Sequence, residues 1–246
     1  MTDAKPPTLL IVMGTSGSGK STVGSSLSTY LNCPFVDGDD LHPASNVAKM
    51  SSGQPLNDTD REPWLLRIRR TGLELALTQK IPDGIKGSDG EMRKLAEVYE
   101  TSTQTKDAHH TTTQTGDAEE VQGSKSKIAV IACSSLKLVY RRLLRGSISS
   151  LADPKAAEPE ADATTPTDLR VVHVYLDLSR ELLEKRMAGR KGHFMKLDML
   201  YSQLDTLQVP DEEAEVGVVR VKVEEDTTED EVVSRVMEGL RRKGVI

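Results

Sequence analysis

Gly14-Thr15-Ser16-Gly17-Ser18-Gly19-Lys20-Ser21 meets the spacing G-x-x-x-x-G-K-[ST] at every fixed position, directly after the apolar run Leu9 to Met13. A buried strand would deliver it. The glycines let the backbone curl so that successive N–H groups converge on one anion, while the helical pattern of Ser21 to Leu31 sets a positive dipole end beneath. This suits the holding of a polyphosphate. Gly14 to Gly19 and Thr22 would line the phosphates, Lys20 would reach the β- and γ-phosphates of a nucleotide, and the Ser21 hydroxyl would ligate Mg²⁺. A plain Gly/Ser turn would account for the glycines but not for strand, lysine and serine together.

Three further groups of residues could work beside such a cradle. Asp37-Gly38-Asp39-Asp40-Leu41-His42-Pro43 follows a second apolar run and puts carboxylates at the C-terminal edge of a parallel sheet. Two carboxylates one residue apart can divide labour, one supporting a hydrated metal and the other accepting the proton of an attacking hydroxyl. An acidic turn capping the next helix explains the same residues, and the segment alone leaves both readings open. Ser134 and Ser135 precede Lys137 and Arg141, which are four apart and would share one helical face toward a common crevice. Taken singly, Ser134 reads as an N-cap and the cations as a solvent-facing pair. Arg186 and Arg190, with Lys191 and His193 beyond, sit among Gly189 and Gly192. That pattern suits a basic flap closing over transferring phosphate and excluding water, or simply a basic helix end.

Positioning these groups requires alternating strands and helices. Leu9 to Met13, Pro34 to Val36, Ile128 to Ala132, Val171 to Leu176 and Val218 to Val223 read as buried parallel strands. Helical spacing marks Ser21 to Leu31, Pro63 to Thr78, Leu136 to Leu144, Glu181 to Ala188 and Glu229 to Arg242. The expectation is a three-layer α/β fold with a five-stranded parallel sheet, one domain over residues 1–246. Two stretches interrupt it: Pro82 to Lys127 and Gly146 to Asp168, both poor in large apolar residues and read as mobile insertions. His109 and His110 lie in the first, where a solvated loop is a simpler reading than a metal site.

Composition narrows the partners. A formal net charge of −6 disfavours nucleic acid and anionic membrane as partners, since both demand a clustered positive surface. Two cysteines, Cys33 and Cys133, both in apolar surroundings, read as buried thiols of a reducing compartment. No run reaches the roughly 18 apolar residues of a membrane span, and no secretory pattern opens the chain, so a cytoplasmic protein is expected.

The cradle, Asp37-Gly38-Asp39, Leu41-His42-Pro43, Asn46, Lys49-Met50, Pro55-Leu56-Asn57-Asp58, Asp60-Arg61, Pro63-Trp64-Leu65, Cys133-Ser134, Leu136-Lys137, Tyr140-Arg141, Gly189 to Phe194, Gln203 and Thr206-Leu207 together resemble the gluconokinases of the P-loop small-molecule kinases. The likeness covers nearly all of the chain outside the two insertions. It implies transfer of the ATP γ-phosphate to the C6 hydroxyl of D-gluconate, a Mg²⁺ requirement, a closing lid and commonly a homodimer. It further implies Asp39 as general base, Asp37 as metal partner beside Ser21, and Lys20, Arg186 and Arg190 as stabilisers of the transferring phosphoryl group. His42, Arg61, Lys137, Arg141 and His193 become expected gluconate contacts alongside Asp39. Ser135 stands where the family commonly has Ala, and the insertions are unusual for it.

Adenylylsulfate kinase shares an Asp-Gly-Asp-like segment but needs an aromatic nucleotide platform, and aromatics make up only 3% of this chain. Shikimate kinase fits the Leu-His-Pro and Cys-Ser-x-Leu-Lys runs poorly. A noncatalytic nucleotide-binding regulator would have no use for Asp39, Lys137 and the lid arginines. The Pro82–Lys127 segment enters just before the third strand, at the edge opposite the cradle. Its deletion should leave gluconate-dependent ADP formation within about tenfold of the intact chain, as expected for a segment outside the core; a larger loss in kcat would put it at the site.

Overall fold

The computed structural model describes residues 6–85, 127–153, 168–189 and 193–246. Thr8–Met13 (β1), Phe35–Asp37 (β2), Ile128–Ala132 (β3), Arg170–Leu178 (β4) and Val218–Val223 (β5) pair in parallel in the order β2-β3-β1-β4-β5. Thr8 lies opposite both Ile128 and Arg170, so the central strand is flanked in register on both sides. All six residues of β1 are buried, which is why it carries no polar alternation. At the edge, β5 does alternate, exposing Arg220 and Lys222.

Helices cover both faces. Lys20–Leu31 (α1) and Glu229–Arg242 (α7) bury Val23, Leu27, Val236 and Leu240 against Leu10, Val12 and Val219. On the other face Asp58–Thr78 (α3) and Leu138–Arg145 (α4) bury Leu65, Ile68, Leu143 and Leu144 against Leu9, Ile11 and Ile131. Ala44–Ser51 (α2), Arg180–Ala188 (α5) and His193–Thr206 (α6) complete the described helices, and a short 3₁₀ turn spans Gly38–Leu41. Among the described residues no helix is long and apolar enough to cross a membrane.

The element boundaries moved where capping outweighed pattern. α3 starts at Asp58 rather than Pro63 because Asn57 and Asp60 form a reciprocal capping box that nucleates the helix a turn earlier. α4 starts at Leu138 rather than Leu136, since Lys137 is extended (φ −87°, ψ 145°). Helix α6 was not expected at all. At the two ends of the Gly146–Asp168 stretch the described residues pack on the core: Ile148 is buried and Leu151 packs on the α3/α4 face, while Asp168 pairs with Arg69 at 2.9 Å. Residues 86–126 and 154–167 lie outside the described residues.

Helix α3 crosses β1 closely at Gly72, where an added Cβ would lie 2.4 Å from Leu9 Cδ2. Leu9 is fully buried and cannot swing away. Gly72→Ala therefore sets about 1 kcal/mol of gained helix propensity against overpacking of about 1–3 kcal/mol, and the clash wins. Thermal denaturation should show a lowered Tm, by about 2–4 °C per kcal/mol; a raised Tm would mean that the α3–β1 spacing relaxes freely.

Candidate active site

All the loops that matter leave the carboxyl ends of β1, β2, β3 and β4. The first, residues 14–19, delivers Gly19 as the N-cap of α1 at φ 94°, a left-handed conformation that costs a glycine little. No side chain caps that helix start, so its first amides face the loop's concavity. Lys20 folds back over the loop and donates to the Thr15 carbonyl at 3.0 Å, and the Ser18 hydroxyl donates to the same oxygen at 2.8 Å. Arg186, in the last turn of α5, donates to the Ser18 carbonyl at 3.4 Å. Gln203 of α6 accepts the Ser16 N–H at 2.6 Å, tying that helix to the cradle.

The second loop is the acidic turn. Asp37 ends β2 and accepts both the Ser21 hydroxyl at 2.5 Å and the Asp39 N–H at 3.1 Å, so one carboxylate caps the 3₁₀ turn and fastens it to α1. A Cβ at Gly38 would come within 2.4 Å of the Ala132 carbonyl, so only glycine lets the turn lie this close to β3. Trp64 of α3 donates its indole N–H to the Gly38 carbonyl at 2.8 Å and stacks on His42, with ring centroids 4.1 Å apart. Asn46 bridges the His42 ring at 3.4 Å and the Asp60 carbonyl at 2.8 Å.

Electrostatics separates the titratable groups. Partial desolvation at the foot of the turn and then the Asp37 charge raise the Asp39 carboxyl from its ordinary value, with Lys20 pulling the other way, and solvent screens the shift because the Asp39 side chain is 90% exposed. Burial, then the Arg61 charge, lowers His42 to about 4, so its ring is neutral near pH 7. Its 4.0 Å approach to Asp39 is thus neither an ion pair nor a hydrogen bond.

The opposite wall comes from α3 and the loop after β3. Lys137 donates to both carboxylate oxygens of Asp58 at 2.8 and 2.9 Å, and the Tyr140 hydroxyl donates to the same carboxylate. Burial pushes Asp58 upward, but these two hydrogen bonds outweigh it and hold the carboxyl low. Lys137 and the Arg61 guanidinium stand 5.2 and 6.0 Å from the Tyr140 ring centre. Asp39, His42, Arg61 and Lys137 are thus neighbours in one chain of contacts, from Asp39 to His42, from His42 to Arg61, and from Arg61 to Lys137 across the Tyr140 ring.

Arg141 is a correction. It does not share a face with Lys137, because Lys137 precedes the helix. Its side chain is 1% exposed and bidentate to Glu215 at 2.6 and 2.8 Å. Nor does Ser134 cap α4, whose N-cap is Lys137. Arg190 lies outside the described residues, as does the side chain of His193, whose backbone opens α6. Asp58, Trp64, Tyr140 and Gln203 join the site only through contacts to other elements, which nothing in the neighbouring sequence signals. A separate hollow of about 500 Å³ by Leu66, Arg69 and Ile148 lies toward the opposite edge of the sheet.

Trp64 is the single tryptophan, and an imidazolium stacked on it would quench its emission. Quenching should develop as pH falls toward about 4, not around the ordinary histidine value of 6.5. The unfolded chain takes up this proton at higher pH than the folded one, so His42's contribution to stability is complete above pH 6.5 and is lost as pH falls toward 4. A fluorescence titration with a midpoint near 6.5 would show that the stack does not shield the ring.

Residues 16–70 match the profile of the shikimate kinase family. A thermoresistant gluconokinase of Escherichia coli (strain K12) is 31% identical over 214 residues, covering 87% of this chain and 84% of its own. A gluconokinase of Gluconobacter oxydans (strain 621H) is 34% identical over 218 residues, covering 89% and 84%. The crystal structure of a gluconokinase from Sinorhizobium meliloti 1021 matches with a TM-score of 0.57 at 30% identity, covering 98% of this chain and 95% of that one. With a phosphate cradle, an acidic turn bound to it and a cationic wall opposite, and with likeness of this extent along most of its length, the chain belongs to the gluconokinases of the P-loop kinase group.

Proposed function

We propose that this crevice carries the ATP-dependent phosphorylation of D-gluconate at its C6 hydroxyl, with Asp39 as the general base. The observation that carries the assignment is the Ser21–Asp37 hydrogen bond of 2.5 Å, which couples the turn holding Asp39 to the loop that would hold the phosphates. Gluconate would lie between the acidic turn and the Arg61–Lys137 wall, its carboxylate toward the cations and its polyol near His42 and Asp39. A neutral imidazole suits a polyol, since it can both donate and accept.

As the C6 oxygen bonds to the γ-phosphorus, its proton passes to Asp39 and the bond to the β-phosphate oxygen breaks, releasing ADP. The raised affinity of Asp39 for a proton helps it accept one from an alcohol. Lys20 and Arg186 lie at the cradle, where their charge would balance that of the transferring group, and Arg190 is proposed to join them from the lid. A hydroxyl and a carboxylate side by side fit Mg²⁺, which takes one or two protein oxygens and leaves the rest to phosphate and water. Ser21 and Asp37 would hold it, and when bound it supplies neutralisation of phosphate charge. The nucleoside is assigned to the cleft of about 540 Å³ between the ends of β4 and β5, near Leu178, Ser179, Lys185 and Val223.

Coupled ADP release with Mg·ATP and gluconate, shikimate or adenylylsulfate tests the assignment, and turnover with gluconate alone is expected. Asp39→Asn should keep ATP affinity while lowering kcat by roughly 10²-fold or more. The acid limb of the wild-type kcat/KM profile, which reports the free enzyme, should lie above the ordinary aspartate value and vanish in the variant. A collapse of ATP binding instead would exchange the roles of Asp37 and Asp39.

A further inference from the structure

We propose that Glu215 is a positioning residue for the gluconate site, acting through Arg141 on the backbone that carries Lys137. The inference rests on the reading of Lys137 as a substrate contact. Glu215 lies in the connection between α6 and β5, and its carboxylate is buried with two arginines of α4. Arg141 is held in a bidentate pair, Nε to Oε1 and Nη2 to Oε2, which fixes the plane of its guanidinium. That plane aims Nη1 at the Ser135 carbonyl (3.2 Å) and the Leu136 carbonyl (3.0 Å).

These carbonyls are the last two before Lys137. Ser135 holds φ 35°, a left-handed conformation that a non-glycine residue keeps only where neighbours over-determine it. The guanidinium is one such neighbour. Gln208 is another: its N–H donates to the Leu136 carbonyl at 2.9 Å, and its side-chain oxygen accepts the Leu138 N–H at 2.6 Å. Both Gln208 and Glu215 belong to the chain returning from α6, the helix that also holds the Ser16 amide through Gln203. Lys137 is thereby set from two sides, its ammonium by Asp58 and its backbone by this connection.

Arg145 separates positioning from bulk stability. It pairs with the same Glu215 oxygen at 3.0 Å, yet it makes no described hydrogen bond to the loop of residues 133–137. Glu215→Gln, Glu215→Asp, Arg141→Lys and Arg145→Met should be made in the full chain and assayed where each is shown to be folded. Glu215→Gln is expected to raise gluconate KM about tenfold or more with ATP KM within about twofold, and Glu215→Asp to recover most of that loss. Should Glu215→Gln not fold, Arg141→Lys serves instead: it keeps a charge for Glu215, cannot span both carbonyls, and should raise gluconate KM in the same selective way. Arg145→Met should lower Tm and leave both KM values within about twofold.

Acylation of Lys137 in the ligand-free protein, followed by mass spectrometry, reads the link without substrate and should quicken in Glu215→Gln or Arg141→Lys. Unchanged acylation, equal rises in both KM values, or a gluconate defect in Arg145→Met would overturn the inference. An unchanged gluconate KM in Lys137→Ala with quickened acylation in the Glu215 variant would instead overturn the substrate role of Lys137 and leave the Glu215–Arg141 link standing.

Discussion

The hydrogen bond from Ser21 to Asp37 spans the end of a strand. β1 and β2 are not neighbours, because β3 lies between them, so the cradle after β1 and the acidic turn after β2 can meet only by passing over the carboxyl end of β3. Gly38 makes that passage possible, since any side chain there would strike the Ala132 carbonyl. Trp64 then holds the turn down from the α3 side. The distance between a bound phosphate and the Asp39 carboxylate is set by this one crossing, and the proposed chemistry depends on it.

Two kinds of charge surround the crevice, and burial sorts them. Near the cradle, partial desolvation and then the Asp37 charge raise the proton affinity of Asp39, which suits a metal partner beside a base. His42, pressed against Trp64 and facing Arg61, stays neutral where an exposed histidine would begin to charge. The Asp58–Lys137–Tyr140 cluster remains hydrated enough for its ions to exchange partners. Beneath it, Arg141, Arg145 and Glu215 are sealed in, and fully buried His173 is held well below the usual histidine range first by burial and then by Arg145 and Arg141. The outer set can meet a substrate, whereas in the inner set Arg141 reaches the site through the backbone it holds.

Much of this was legible in the sequence, and the reason is locality. The cradle is eight consecutive residues whose spacing alone dictates a concave run of amides, and the inner strands β1 and β3 showed themselves as apolar runs because the sheet is covered on both faces there. Helix starts were less legible: Pro63 drew the eye although the Asn57–Asp60 box had already begun α3. Lys137 and Arg141 illustrate the limit more sharply. Four residues apart, they looked like one helical face, but the helix begins after Lys137, and one cation turned toward the crevice while the other turned into the core.

The sequence by itself determined that a polyphosphate would be held at a helix start, that carboxylates would stand at the end of the second strand, and that the sheet would be parallel. Those outcomes follow from short-range geometry, written in adjacent residues. Only the tertiary structure decided that Trp64 would stack on His42, that Asp58 would take Lys137 and Tyr140, and that Glu215 would bind Arg141 rather than leave it to a substrate. Each of those contacts joins segments 22 to 82 residues apart, and such pairings are set by how helices settle on a twisted sheet, not by any spacing along the chain.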